Sequence, residues 1–244
     1  MFRPIILFFA LCAAAFATVT TTSADRRIDE LDTPLTKGTA NEAEVQLALQ
    51  IAEKTRCDPN ICFAVDGSGS MDVTEFQLEK DFTNLVAAVV AYDEQARFAA
   101  VQYGLRPKFI SRLTEDADAF LEAVHYTESL NAPRTFIAPG LAGCIRQFYY
   151  LKGEPKHIVL LGDGRSNFDS KLPPLDPVSI AQAFLANPNN TISAVGVGFD
   201  ADDTMLTNIA GGEENVFNVG QWLEVTTVLA ELVGEVCGLD AVEF

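Results

Sequence analysis

The sequence predicts a doubly wound α/β fold, a mostly parallel β-sheet with one antiparallel edge strand and helices on both faces. Three observations carry this. From residue 60 onward, short continuous apolar runs alternate with stretches of helical length and periodicity. The runs NICFAV, HIVLLGDG and TISAVGVGF lack the in–out alternation of a half-exposed strand, so they read as strands buried on both faces. One pair, RFAAVQYG and PKFISRLT, is joined between Gly104 and Pro107 by a link too short for a crossover, which marks a hairpin and one antiparallel edge strand.

The elements follow in order. NICFAV is the first strand, and the amphipathic stretch 74–92 the first helix. The RFAAVQYG/PKFISRLT hairpin leads into helix DADAFLEAVHYT, loop LNAPRTFIAP and helix GLAGCIRQFYYL. HIVLLGDG follows as a buried strand, then a Pro-rich loop, a short helix and strand TISAVGVGF. DTMLTNIA, VFNVG and WLEVTTVLAELVGEVC complete the series as helix, strand and helix, with no internal repeat. Phe76, Phe82, Phe98, Phe120 and Phe148 fall at core positions, and Trp222 opens the last helix. Upstream, NEAEVQLALQIAEKTR (41–56) carries Val45, Leu47, Leu49 and Ile51 among good helix formers and reads as a short helix on the domain edge.

Residues 1–17 have the form of a signal peptide: Arg3, the apolar run IILFFALCAAAFA and a small-x-small site at Ala15-Phe16-Ala17. The run falls short of the roughly 20 residues a bilayer span needs. Residues 18–56 then form a polar spacer with its short helix, 57–238 the domain and 239–244 a tail, and a secreted extracellular protein is expected. Seventeen basic residues face 34 acidic ones, a net charge of −17. Such a surface repels phosphate backbones and anionic bilayers, so neither nucleic acid nor membrane insertion is expected.

Cys12 leaves with the signal. Cys57 and Cys237 bracket the domain, and a bridge between them suits an oxidising compartment. Cys62 and Cys144, inside a strand and a helix, read as buried small hydrophobes. Their pairing is left open by the sequence.

The chemistry concentrates at VDGSGSM (65–71), where the first strand gives way to the first helix. Asp66, Ser68 and Ser70 stand at alternate positions, so their oxygens can share one side of the turn, and Gly67 and Gly69 permit unusual backbone angles. Asp163, in LLGDGRSN, ends another strand in the same way. In an open α/β sheet, ligands bind beyond the carboxyl ends of the strands, where the strand order reverses. Carboxylates and hydroxyls without nitrogen or sulfur donors suit a hard cation, Mg²⁺ or Mn²⁺, over zinc. The competing reading is a turn in which Asp or Ser merely caps the next helix.

These residues resemble the von Willebrand factor A domain. The resemblance rests on D-x-S-x-S at 66–70, a Thr in the loop between the second and third long helices, and D-G at 163–164, and it covers roughly 58–237. It implies a metal-ion-dependent adhesion site. Ser68, Ser70 and Thr135 would offer hydroxyl oxygens to the ion, and Asp66 and Asp163 would act mainly through bound water. The ion would stay electrophilic enough for a carboxylate of an extracellular protein ligand to complete its octahedron. Two positions depart from the family pattern: Ala132-Pro133-Arg134 precedes Thr135 where Gly-Gly or Gly-Ser is common, and Gly162 replaces the frequent Thr before the second Asp.

Enzymatic readings fare worse. GSGSMD lacks the third Gly of a dinucleotide fingerprint, and a pyrophosphate there would meet Asp66. A nucleophile elbow would need Gly at position 66. His125 and His157 are the two histidines, neither in the late position a hydrolase triad requires, and no HExxH or CxxC occurs. The expectation is a non-enzymatic secreted adhesion module working through Mg²⁺ or Mn²⁺. A structural matrix protein with a vestigial metal site is the alternative. Asn189-Asn190-Thr191 is a glycosylation sequon.

Overall fold

The computed structural model describes residues 59–91, 95–167, 176–198, 201–219 and 222–236. The signal peptide, the helix expected over 41–56 and the Cys57–Cys237 bridge lie outside them.

Six strands form one sheet: β1 (Asn60–Asp66), β2 (Arg97–Tyr103), β3 (Lys108–Thr114), β4 (Lys156–Gly162), β5 (Asn190–Val197) and β6 (Val216–Val219). Their order is β3-β2-β1-β4-β5-β6. Every pairing is parallel except β2 with β3, which is antiparallel and irregular around Ala100, so the expected edge hairpin is present. Among the described residues six α-helices flank the sheet: α1 (Val73–Val90), α2 (Ala117–His125), α3 (Ile137–Gln147), α4 (Pro177–Leu185), α5 (Asp203–Ala210) and α6 (Trp222–Val236). No helix among the described residues is long and apolar enough to cross a membrane.

The apolar strands divide their side chains between two cores. Ile61, Phe63 and Val65 of β1 pack with α1, α2 and α6, and Cys62 and Ala64 with α3, α4 and α5. Burial on both faces explains why NICFAV shows no alternation. The five phenylalanines expected in the core are all buried. Phe120 packs between Phe63 and Phe98, with ring centroids 5.8 and 5.4 Å away.

Two differences from the sequence reading have local causes. Helix α3 starts at Ile137, three residues before the expected GLAGCIRQFYYL, and ends at Gln147. Pro139 falls in its first turn, where the missing N–H would be unpaired anyway, so the proline does not delay the helix. Cys62 and Cys144 are also more than small hydrophobes. They form a disulfide across a Cα–Cα distance of 5.5 Å, fastening α3 to the central strand.

The sheet order places the candidate site. The order reverses between β1 and β4, and the carboxyl ends of those two strands carry Asp66 and, one residue on, Asp163.

Candidate metal centre

Asp66 is the last residue of β1 and is buried. Its Oδ1 accepts the Ser68 N–H at 2.7 Å, whereas the buried Oδ2 has no hydrogen-bond partner. Burial pushes the carboxyl up to about 7 against the pull of that N–H and of the nearby Ser68 and Tyr103 hydroxyls, and the charge of Asp163 adds to the rise. A buried carboxylate oxygen that accepts no hydrogen bond is costly unless a positive charge or a donor meets it. That orphaned oxygen is what a bound cation would satisfy.

The hydroxyls of Ser68 and Ser70 lie 2.7 Å apart, Ser68 buried and Ser70 exposed. Helix capping consumes neither. Asp72 caps α1, its Oδ1 accepting from the N–H groups of Thr74 and Glu75 at 2.7 and 2.8 Å, while Glu75 Oε2 accepts the Asp72 N–H at 2.9 Å. This complete capping box removes the competing explanation for the upstream Asp and Ser residues.

The glycines act through space rather than through unusual backbone angles. Neither Gly67 nor Gly69 has positive φ. A Cβ at 67 would sit 2.6 Å from the Gln102 side chain, and one at 69 would sit 2.9 Å from Asn131 Oδ1. Gln102 is buried, and with its amide oriented to donate to Glu128 O and accept from Leu130 N, both at 3.2 Å, it holds the neighbouring loop.

That loop carries Thr135, and backbone bonds stitch it to both aspartate loops. Gly69 N–H donates to Ala132 O at 2.7 Å and Ala132 N–H to Gly67 O at 3.0 Å, a parallel bridge between Ser68 and Ala132. On the other side, Asn167 N–H donates to Thr135 O at 2.8 Å, and Asn167 Oδ1 accepts the Thr135 N–H at 2.9 Å. Asp163 is half-buried, and its Oδ1 accepts the Arg165 N–H at 2.8 Å. The three segments bearing Asp66, Ser68, Ser70, Thr135 and Asp163 therefore meet at one rim. Arg134 is exposed beside them.

Sequence reasoning missed three supporting residues. Glu79 of α1 is buried beneath the rim, and its Oε2 accepts the Asp66 N–H at 3.0 Å. Burial, reinforced by the Asp66 charge, holds its carboxyl well above the ordinary range. The available signal was a Glu spaced with Phe76, Phe82 and Val86 on the sheet-facing side of an amphipathic helix. Tyr103 is buried, and its hydroxyl donates to Leu161 O at 2.7 Å, filling the space a side chain at Gly162 would need. Gly162 also has φ of 148°, so the departure from the family's Thr is compensated by Tyr103. Nothing in the sequence pointed to Asn167. His157 opens β4, a strand's length from the rim.

A doubly wound sheet with an acidic and hydroxylic rim at its switch point defines the class. Residues 60–231 match the von Willebrand factor type A domain, and the chain belongs to that family. It is 29% identical over 199 residues to the mouse collagen alpha-5(VI) chain and 26% identical over 193 residues to the human collagen alpha-6(VI) chain. Those matches cover 76% and 75% of this chain but 7% and 8% of the collagens, so the chain spans less than a tenth of these relatives.

Among solved structures, proximal thread matrix protein 1 from the mussel byssus superposes with a TM-score of 0.65 at 22% identity, over 74% of this chain and 48% of that one. Another structure of it, described as having a zinc-occupied MIDAS motif, gives 0.63 at 22% identity over the same shares. A von Willebrand factor type A protein from Catenulispora acidiphila gives 0.59 at 22% identity, covering 75% and 43% of the two chains. At these identities the structural likeness establishes the fold. The collagen VI relatives mark the chain as similar to extracellular matrix proteins.

Proposed function

We propose that this protein is a secreted, non-enzymatic binding module that engages an extracellular protein through a divalent cation, Mg²⁺ or Mn²⁺. Ser68, Ser70 and Thr135 would supply neutral oxygens, and Asp66 and Asp163 the charge. The observation that carries this reading is Asp66 Oδ2, buried without a partner at a rim where three loops are fastened together. An all-oxygen set with two carboxylates suits a hard ion. Because only two of the five donors are charged, the ion would keep enough positive character to attract a ligand carboxylate.

The chain's own residues prepare that rim. Asp72 relieves Ser68 and Ser70 of capping α1, the Asn167–Thr135 pair fixes the threonine loop, and Glu79 anchors the Asp66 backbone. The experiment is a pull-down from extracellular material with the full secreted chain, in Mg²⁺ against EDTA, with Asp66→Ala as control. Partners retained in Mg²⁺ and lost in both other arms support the proposal. Retention in all three favours a second reading, a structural matrix protein binding through other surfaces, to which the likeness to collagen VI chains lends support.

A further inference from the structure

We propose a second binding site at the pole opposite the rim, a pocket that takes an acidic peptide segment of a partner protein. Strand β3 runs antiparallel to its neighbour and ends at this pole, where α3 also ends. Arg112 and Leu113 of β3 and Arg146, Gln147, Tyr149 and Tyr150 of the α3 terminus line a pocket of about 580 Å³.

Three observations converge on the occupant. First, a protein of net charge −17 places two guanidinium groups in one pocket, and neither is in an ion pair among the described residues. Arg112 lies 5.4 Å from the Phe109 ring centroid. Glu115 and Glu154, carboxylates of the same pole, are both held by Arg97, at 2.8 and 2.7 Å. Arg112 and Arg146 are thus left without a close carboxylate among the described residues, and an incoming one would meet them in charge-assisted hydrogen bonds.

Second, Tyr149 and Tyr150 remain 75% and 86% exposed and touch edge to face at 5.0 Å, an aromatic wall turned to solvent. Aromatic and arginine side chains together are the composition of binding hot spots. Two cations beside an apolar wall suit one or two carboxylates flanked by apolar side chains. A sulfated glycan brings denser charge and less apolar surface. Third, Gln147 Oε1 accepts the Leu113 N–H of the edge strand at 3.2 Å. That N–H is taken, so beside the pocket the edge strand offers no donor at Leu113 to an added strand, and the side chains are left to read the partner.

The test uses the full secreted chain in EDTA, which silences the rim and keeps the outcome separate from the proposed cation site. The probes are dye-labelled octapeptides of alternating Glu and Leu, or Gln and Leu, followed by fluorescence anisotropy, and a heparin octasaccharide as competitor. The acidic peptide should bind at least tenfold more tightly than the neutral one. Arg112→Ala with Arg146→Ala, and separately Tyr149→Ser with Tyr150→Ser, should each weaken it at least tenfold without changing the melting temperature. Equal binding of the two peptides, or indifference to the arginine pair, overturns the proposal. So does binding of the octasaccharide through these arginines without the peptide, or self-association in sedimentation that the arginine variant abolishes.

Discussion

Asp66→Asn separates the charge of the candidate metal centre from its shape. In the folded chain the Asp66 carboxyl titrates at about 7 instead of 3.8. A raised carboxyl contributes most stability below pH 3.8 and loses it as pH rises toward 7, because the unfolded chain gives up this proton first. The difference amounts to about 4 kcal/mol by pH 8. Asparagine keeps an oxygen for the Ser68 N–H and removes the charge, but brings a buried amide donor that costs about 1–2 kcal/mol if unpaired.

The variant should therefore be more stable than wild type in EDTA at pH 8, by about 2–3 kcal/mol, or roughly 5–10 °C in melting temperature. At pH 4 the advantage should vanish, since Asp66 is then protonated. With cation at a hundredfold excess over its dissociation constant, wild type should gain about 2.7 kcal/mol and the variant nothing. Differential scanning fluorimetry across pH, with EDTA or Mg²⁺, reads all three. A variant less stable than wild type in EDTA at pH 8, or one that gains equally from Mg²⁺, would refute this account of Asp66.

Other perturbations test separate parts of the structure. Replacing Cys62 and Cys144 by Ala opens a bridge spanning 82 positions and should cost about 4 kcal/mol in the chain-entropy model, measured by denaturant unfolding. Gly162→Ala meets the Tyr103 hydroxyl and should destabilise by about 1–3 kcal/mol, with partial rescue by Tyr103→Phe; purely additive effects would contradict the contact. Burial lowers His157 from 6.5 to about 4, so its contribution is intact above pH 6.5 and is lost as pH falls toward 4. His157→Gln should reduce the acid loss of stability between those limits by about 3 kcal/mol in urea melts. Asn189 is exposed, and peptide mapping of the protein expressed through a eukaryotic secretory pathway should find a glycan on it.

The elements were legible because each buried strand had to be continuously apolar. NICFAV is such a run because helices pack on both of its faces, whereas KFISRLT, at the edge, stays partly exposed along its length. Helix α3 was expected to begin after Pro139 and begins at Ile137, since a proline in a first turn costs no hydrogen bond. The DGSGS motif marked the rim but could not show that Asp72 does the capping or that Asn167 fastens Thr135. Both depend on loop backbone geometry that carries no periodicity. The Cys62–Cys144 bridge was hidden for a related reason, since its partners are 82 positions apart and either one packs as a small apolar side chain. Glu79 did leave a trace, a charged residue on the sheet-facing side of α1.

The central claim is that five oxygen-bearing side chains at one rim bind a single hard cation. Isothermal titration of the purified chain with Mn²⁺ is the most direct measurement. The account predicts one ion per chain, with uptake lost in Asp66→Ala and weakened in Thr135→Ala and Ser68→Ala. Absence of uptake at millimolar Mn²⁺, or undiminished uptake by the Asp66 variant, would contradict it.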